Sequence, residues 1–222
     1  MTLPANDNKA KEVLHYRYSS LENPSGSIGV ALEEEVIKRL SSFGSIQKIC
    51  ELGCGNGHFA RRLAGLGYHL TAIDSSESGI QIAKSSNASK VDYHCLSIGS
   101  TLTEKIGENC YEAVVALEVV EHLYQPADLI QLAQRLLKPG GYLVLTTPYH
   151  GYLKNLIISL SNQSDNHFNP LWDGGHIKFF SPKTLTRLIT REAELRVVRM
   201  DFIGRLPFLW KSMICTAQKK LE

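Results

Sequence analysis

The chain has 222 residues, 43% hydrophobic and 21% charged, with 24 lysines and arginines against 22 aspartates and glutamates. A chain of this size buries a sizeable core without disulfide or metal staples, and a net charge of +2 carries no footprint for nucleic acid. No run approaches the ~18 apolar residues of a membrane span, the polar start MTLPANDNKAKE is no secretory signal, and the odd number of cysteines, five, reads as reduced cytoplasmic thiols.

Lys9 to Tyr18 predicts a short helix, and Asn23-Pro24-Ser25-Gly26 a turn. Ile28 to Phe43 has helical spacing and stops at Gly44. Ile46 to Leu52 then predicts a strand, His58 to Leu66 a helix, Tyr68 to Ile73 a second strand, and Ile80, Ile82 and Ala83 a further helix. Val91 to Cys95 is a third strand. Tyr111 to Leu117 is a fourth, with the continuous apolar core of a parallel strand covered on both faces. Pro126 to Leu137 is a helix with proline in its first turn. A turn at Pro139-Gly140-Gly141 leads to a fifth strand, Tyr142 to Thr147. This alternation predicts an α/β fold with a parallel sheet and helices on both faces. Residues 148–180 break the rhythm and read as a long irregular connection of the kind that forms lids and binding walls. A helix from Ser181-Pro182 and two strands, Glu194–Phe202 and Phe208–Ala217, complete the chain.

The stretch Glu51-Leu52-Gly53-Cys54-Gly55-Asn56-Gly57 lies where the first strand should turn into a helix. Glycines there let the backbone bend sharply and a ligand approach closely. The second strand ends at Asp74, where a carboxylate can bond the two hydroxyls of a ribose. Dinucleotide enzymes need G-x-G-x-x-G; here the third glycine comes one residue early and His58 takes its place. The spacing suits a nucleoside that carries an amino acid and no phosphates. Gly57 has a plainer use in helix packing, and Glu51 in capping the turn.

The strings E-L-G-C-G-N-G, A-I-D-S-S, A-L-E-V-V-E-H-L and L-K-P-G-G-Y-L-V-L-T-T-P resemble the successive motifs of class I S-adenosylmethionine-dependent methyltransferases, strongly over residues 46–148. Within that family, E-V-V-E-H followed by L-x-x-T-T-P most resembles the ubiquinone-pathway O-methyltransferases. The resemblance implies a Rossmann-like, doubly wound, seven-stranded, mostly parallel sheet in one domain. Residues 1–44 would form a helical cap, 45–148 the cofactor-binding core, 149–180 a substrate-lid insert, and 181–222 the last helix and strands. S-adenosyl-L-methionine would lie over Gly53, Cys54 and Gly55, with Glu51 near its amino group, Asp74 on its ribose and Ser75 beside it. Ser97 would edge the adenine, where the family often has an aspartate. Leu117 and Glu118 would face the sulfonium, and Tyr16 and Arg17 would close over the cofactor.

Glu118, Glu121 and His122 stand at i, i+3 and i+4 and would share one face of a helical turn. Two carboxylates and an imidazole can hold a divalent cation, the oxygens favouring Mg2+ and the histidine admitting zinc; in the branch it resembles, E-x-x-E-H is associated with a metal. His122 also reads as a general base, with His150 and His176 as competitors. From the aromatic insert, Tyr149, Tyr152, Trp172 and Phe179 are the candidate walls of an acceptor site.

The leading expectation is therefore methyl transfer to an aromatic or lipid-like hydroxyl of a small molecule. The alternatives are a thiol or other small nucleophile, and a cofactor-binding module without turnover. Nucleic acid is not expected as a partner, since N-P-P-Y and D-P-P-Y strings are missing. The apolar stretches Met200–Trp210 and Met213-Ile214 read as strand, or as peripheral membrane contact for a lipid acceptor. The chain would act as a monomer or homodimer.

Overall fold

A computed structural model describes residues 17–22, 26–99, 102–172, 174–204 and 206–221. The elements run α1 (Gly26–Ser41), β1 (Lys48–Leu52), α2 (His58–Gly65), β2 (His69–Asp74), α3 (Glu77–Ser85), β3 (Val91–Cys95), α4 (Thr103–Ile106), β4 (Tyr111–Leu117), a 3-10 turn (Val120–His122), α5 (Pro126–Leu136), β5 (Leu137–Pro148), α6 (Tyr152–Leu160), α7 (Ser164–His167), α8 (Pro182–Glu192), β6 (Leu195–Ile203) and β7 (Ser212–Lys219).

The strands form one seven-stranded sheet in the order β3-β2-β1-β4-β5-β7-β6. β1 to β5 pair in parallel, and β7 runs antiparallel between β5 and β6. Successive strands step outward from β1 to β3 and then return to β4 on the other side. That reversal opens a crevice at the carboxyl ends of β1 and β4, the place where open α/β sheets bind ligands.

The period-two geometry of a strand sorts alternate side chains to the two faces. In β4, Ala113 and Val115 join a core with α1, α2 and α3 through Leu40, Phe59 and Ile80. Val114 and Ala116 join the opposite core with α5 and α8 through Leu129, Leu136 and Leu185. Each fully buried leucine or isoleucine there contributes about 1.5–3 kcal/mol, so the strand ends at the crevice rest on a stiff base.

Three local features depart from the sequence expectation. β5 begins at Leu137, and its pairing jumps from Tyr111↔Leu137 to Ala113↔Tyr142, so the expected Pro-Gly-Gly turn is a bulge within the strand. The connection after β5 contains two helices, α6 and α7, neither with a buried residue. The expected helix over Lys9 to Tyr18 lies mostly outside the described residues; Arg17 and Tyr18 are irregular. Met200 sits in the edge strand β6, and Met213 and Ile214 are buried in β7, but the strand expected over Met200–Trp210 stops at Ile203, and Leu206 and Phe208 beyond it are exposed in the connection to β7.

Candidate active site

The loop after β1 is held by backbone bonds before any ligand is considered. Gly53 N and Cys54 N both donate to Ile73 O, at 2.7 and 2.9 Å. Gly55 N donates to one oxygen of Asp74 and Ser76 N to the other, each at 2.7 Å. Asp74 thus has a structural task that the sequence did not reveal: it fixes the glycine loop to the start of α3. A carboxylate offers about four acceptor positions, so holding the loop and holding a diol are compatible.

Gly53, Gly55 and Gly57 all adopt left-handed backbone angles, φ +81, +54 and +72. Their close approaches differ. A Cβ on Gly53 would stand 2.4 Å from Val119 Cγ2, because the ends of β1 and β4 converge there. A Cβ on Gly57 would strike Tyr93 and Ala83, which makes Gly57 a packing glycine. Gly53→Ala is expected to destabilise the protein by about 1–3 kcal/mol, from the strained φ and the clash. Thermal unfolding of Gly53→Ala and of Gly53→Ala/Val119→Ala checks this: the double variant should regain part of the loss, and an undisturbed melting point in the single variant would contradict it.

The segment 17–22 crosses this loop. Tyr18 N donates to Ser78 Oγ at 3.2 Å, and its ring lies where a Cβ on Gly55 or Gly79 would be. Asn56 Nδ2 donates to the carbonyls of Ser20 and Glu22, both at 2.7 Å, and Arg61 reaches Leu21 O at 2.7 Å. Tyr16 lies outside the described residues and Arg17 is exposed. The aromatic on the loop is therefore Tyr18, which the sequence reading passed over; the spacing Tyr16-Arg17-Tyr18 offered two tyrosines and no means to choose.

Glu51 is buried at the end of β1, and its Oε2 has no hydrogen-bond partner. Burial, then the charges of Glu33 and Asp74, push its carboxyl up to about 8. A buried carboxyl beside a glycine cradle is what an incoming ammonium would satisfy. Cys54 next to it is buried, and its thiol is pushed up by burial and then by Glu51 and Asp74. Ser75 is half-buried, its carbonyl 3.8 Å from Cys95 Sγ; Ser97 is exposed after β3; Leu117 is half-buried at the end of β4. Glu51, the glycines and Asp74 thus fit S-adenosylmethionine: a carboxyl for the amino group, a backbone cradle, and a strand-end carboxylate for the ribose.

Beyond β4 the chain turns sharply. Glu118 takes a left-handed φ of +53 and donates its N–H to Thr146 Oγ1 at 2.9 Å. Its carboxyl is pushed up to about 7 by burial, eased by the hydroxyls of Thr146 and Ser212 and the charge of Lys154. The 3-10 turn then covers only Val120–His122. The i, i+3, i+4 relation expected of an α-helix does not exist here, because Glu118 lies outside the turn in a conformation no helix contains. Among the described residues the side chains whose ligand atoms come within 4.8 Å of one another are Glu121, His122 and His176. Glu118 is not in that set. One carboxylate with two imidazoles does not suit Mg2+, which takes oxygen ligands.

Glu121 is fully buried, and its carboxyl is pushed up by burial and then by Glu118. His122 Nδ1 lies 2.8 Å from Gly174 O and 3.2 Å from Gly175 O. Carbonyls only accept, so Nδ1 carries the proton and Nε2 the lone pair. Burial lowers the His122 pKa. His176 falls to about 4, through burial first and then the neighbouring His122. Both rings are therefore neutral at pH 7.

The four aromatic candidates divide. Trp172 stands edge-on to His122, ring centroids 6.3 Å apart, and 5.1 Å from His176. Phe179 packs edge-on to His150 at 5.0 Å. Tyr149 is buried against Phe202 and Trp210, a core position, and Tyr152 is 84% exposed on α6. His150 sits beside Phe168 and Phe179, its pKa lowered to about 4 by burial and then by Lys154. Thr146, Ser212 and Lys154 around Glu118 were missed; the two threonines of L-V-L-T-T-P were the available signal, two hydroxyls ending an otherwise apolar strand.

A mostly parallel sheet with this strand order and its antiparallel β7, a glycine loop after β1 and a carboxylate ending β2 define a class I S-adenosylmethionine-binding fold. The family model described as a methyltransferase domain matches residues 17–199, and the chain belongs to that family. It is 27% identical over 157 residues to a ubiquinone biosynthesis O-methyltransferase of Aromatoleum aromaticum (69% of this chain, 66% of that one). It is 30% identical over 167 residues to the protein of that name from Hydrogenovibrio crunogenus (74% and 68%). The match thus spans about two thirds of those relatives' length. Among solved structures, the 4+2 cyclase SpnF aligns with a TM-score of 0.70 at 16% identity, covering 94% of this chain and 87% of that one. Magnesium protoporphyrin IX methyltransferase from Synechocystis PCC 6803, with bound SAH, aligns at 0.64 and 16%, covering 92% and 90%. These two share the fold, and a fold that serves both a cyclase and a methyltransferase does not decide the reaction.

Proposed function

We propose that this chain is an S-adenosylmethionine-dependent methyltransferase that acts on the hydroxyl of a small aromatic or lipid-like acceptor. The observation that carries the cofactor reading is the buried Glu51 carboxyl, with an unpartnered oxygen, beside the Gly53–Gly55 cradle and Asp74. The names of the relatives support oxygen as the methylated atom, and the ring-lined ground around His122, Trp172 and His176 supports a flat acceptor.

When bound, S-adenosylmethionine supplies an electrophilic methyl group on a sulfonium. In this reading Glu51 takes the amino group, Asp74 the ribose diol, and Tyr18 covers the loop from the amino-terminal side. In-line displacement asks for alignment and a deprotonated nucleophile. The acceptor hydroxyl loses its proton at the Glu121–His122–His176 cluster, where neutral imidazoles border the crevice. Insert residues 174–178, docked on the turn by Ile177 N and Lys178 N donating to Glu121 O at 2.9 and 3.0 Å, would wall the acceptor from water.

Calorimetric titration with S-adenosylhomocysteine, and separately with NADH, tests the reading. One-site binding of S-adenosylhomocysteine and none of NADH is expected. Asp74→Ala should weaken S-adenosylhomocysteine binding by at least about tenfold and also lower the melting point, since two loop N–H groups lose their acceptor. A wild-type protein that ignores S-adenosylhomocysteine would overturn the assignment.

A further inference from the structure

We propose that the methyl acceptor carries an acid group, and that this group docks at the N-terminus of α6 against His150 and Lys154. That the anion belongs to the acceptor rests on the methyltransferase reading; the anion site itself does not.

Four observations carry this. α6 runs nine residues, no side chain caps its N-terminus, and its first turn holds no acidic residue. The first N–H groups of a helix lack partners within it and, with the helix dipole, attract an anion. His150, just ahead of the Gly151 cap, is 6% exposed, and its buried Nδ1 has no hydrogen-bond partner. A nitrogen orphaned in this way is costly unless a ligand meets it, and in the Nδ1–H tautomer it is a donor. The ring is held in place: His150 N donates to Phe180 O at 3.0 Å, and His167, Phe168 and Phe179 wall it at centroid distances of 5.4, 5.9 and 5.0 Å. Lys154, in the first turn of α6, bends back to donate to Tyr149 O at 2.8 Å, which leaves two N–H groups of its ammonium for a ligand. Asn155 Oδ1 beside it is also buried without a partner, and rotation of the amide would offer Nδ2 in its place.

The charges agree with the geometry. Burial and then Lys154 lower the pKa of both His150 and His167. Lys154 is itself lowered by burial, with Glu118 opposing and Lys211 adding to the shift. Basic groups crowd one another here, and an anion among them relieves the repulsion. The place suits an acceptor. β4 and β5 pair at Leu117↔Thr146, so Glu118 and the N-terminus of α6 leave the sheet at the same carboxyl edge. His176, its ring 4.9 Å from His122, lies within electrostatic range of His150 and His167. The hydroxyl end and the acid end of one small acceptor would thus meet neighbouring groups.

The test titrates benzoate, phenyl phosphate and the neutral benzamide into the full chain, with and without S-adenosylhomocysteine, by ligand-observed NMR. At least one of the two anions should bind at least about tenfold more tightly than benzamide; the tighter of them tells a carboxylate from a phosphate. Lys154→Gln and His150→Leu should each cut that preference to within about threefold. Lys154→Arg, which keeps the charge, and His150→Asn, whose amide can donate from near the Nδ1 position, should each retain most of it. The ratio of two affinities is the readout, so a variant that only loosens the insert lowers both and leaves the ratio in place. Neither anion outbinding benzamide, or a preference unchanged in Lys154→Gln or in His150→Leu, overturns the proposal. S-adenosylhomocysteine titrated alone separates the two readings: its failure to bind counts against the methyltransferase and leaves the anion site standing, whereas its binding with no anion preference removes the acid group and leaves the methyltransferase.

Discussion

Glu51→Gln is expected to make the cofactor-free protein more stable and to weaken S-adenosylhomocysteine binding by about 10- to 100-fold. Both effects come from one buried carboxyl. Its pKa stands at about 8 in the folded chain, pushed there first by burial and then by Glu33 and Asp74, against about 4.5 once unfolded. The folded state therefore holds the proton more tightly. Stability from this group is fully present below pH 4.5, falls as pH rises through the window to about 8, and stays low beyond it. Glutamine has the same shape and no charge to bury. At pH 7 to 8 the variant should gain about 1–3 kcal/mol, or several degrees in melting point. At pH 4.5 and below, the two proteins should melt together. A constant difference across that pH range would mean that the glutamine acts through packing and that the Glu51 pKa is not raised.

The loss on the binding side follows from the same charge. A charge-assisted hydrogen bond to an ammonium is worth about 1.5–3 kcal/mol, and the variant has only a neutral carbonyl to offer. In the wild type, binding at pH 7 should release a proton from Glu51, measurable by calorimetry in buffers of different ionisation enthalpy. Glu51→Gln should abolish that release. The residue is thus costly to the empty fold and useful to the loaded one, the usual direction of a stability–function compromise.

What could be read from the sequence divides along physical lines. β3 and β4 match their expected bounds, Val91–Cys95 and Tyr111–Leu117, residue for residue. β4 did so because its run Ala113 to Leu117 is continuously apolar, as a strand covered on both faces demands, with Glu112 near its start half-buried against Lys138. The glycine loop and Asp74 were legible because strand-to-helix turns impose backbone angles that few residues other than glycine adopt. α6 was not: its apolar side chains Leu153, Leu156, Ile157 and Leu160 are exposed, so the helix has no buried stripe to announce it. α4 is four residues long, too short for any period to show. The cluster failed for a different reason. The spacing Glu118, Glu121, His122 presupposes a helix, and the left-handed φ of Glu118 removes it. His176 reaches the site only through tertiary packing of the insert, and no spacing rule links it to His122.

His122→Ala is expected to lower turnover by about 10²–10⁴-fold and to leave S-adenosylhomocysteine affinity within about threefold. The cofactor side of the crevice is built from the ends of β1 and β2, with Glu51 and Asp74 buried or bonded there. His122 follows β4 and faces the insert, so its loss should fall on the acceptor's hydroxyl. Alanine also removes the Nδ1–H that holds Gly174 O, and a loosened insert could by itself slow turnover. His122→Asn separates the two. Its amide can donate to the same carbonyl and keep residues 174–178 docked, but it offers nothing in place of Nε2. If the lone pair is what matters, the asparagine variant melts like the wild type and stays as slow as the alanine variant. If docking is what matters, asparagine restores most of the rate. Retained turnover in His122→Ala, together with its loss in His150→Ala or His176→Ala, would place the proton-accepting group in the insert. That last result would also predict that His122 acts by holding the insert in place, so the KM for the acceptor, not kcat, should carry the His122→Ala effect.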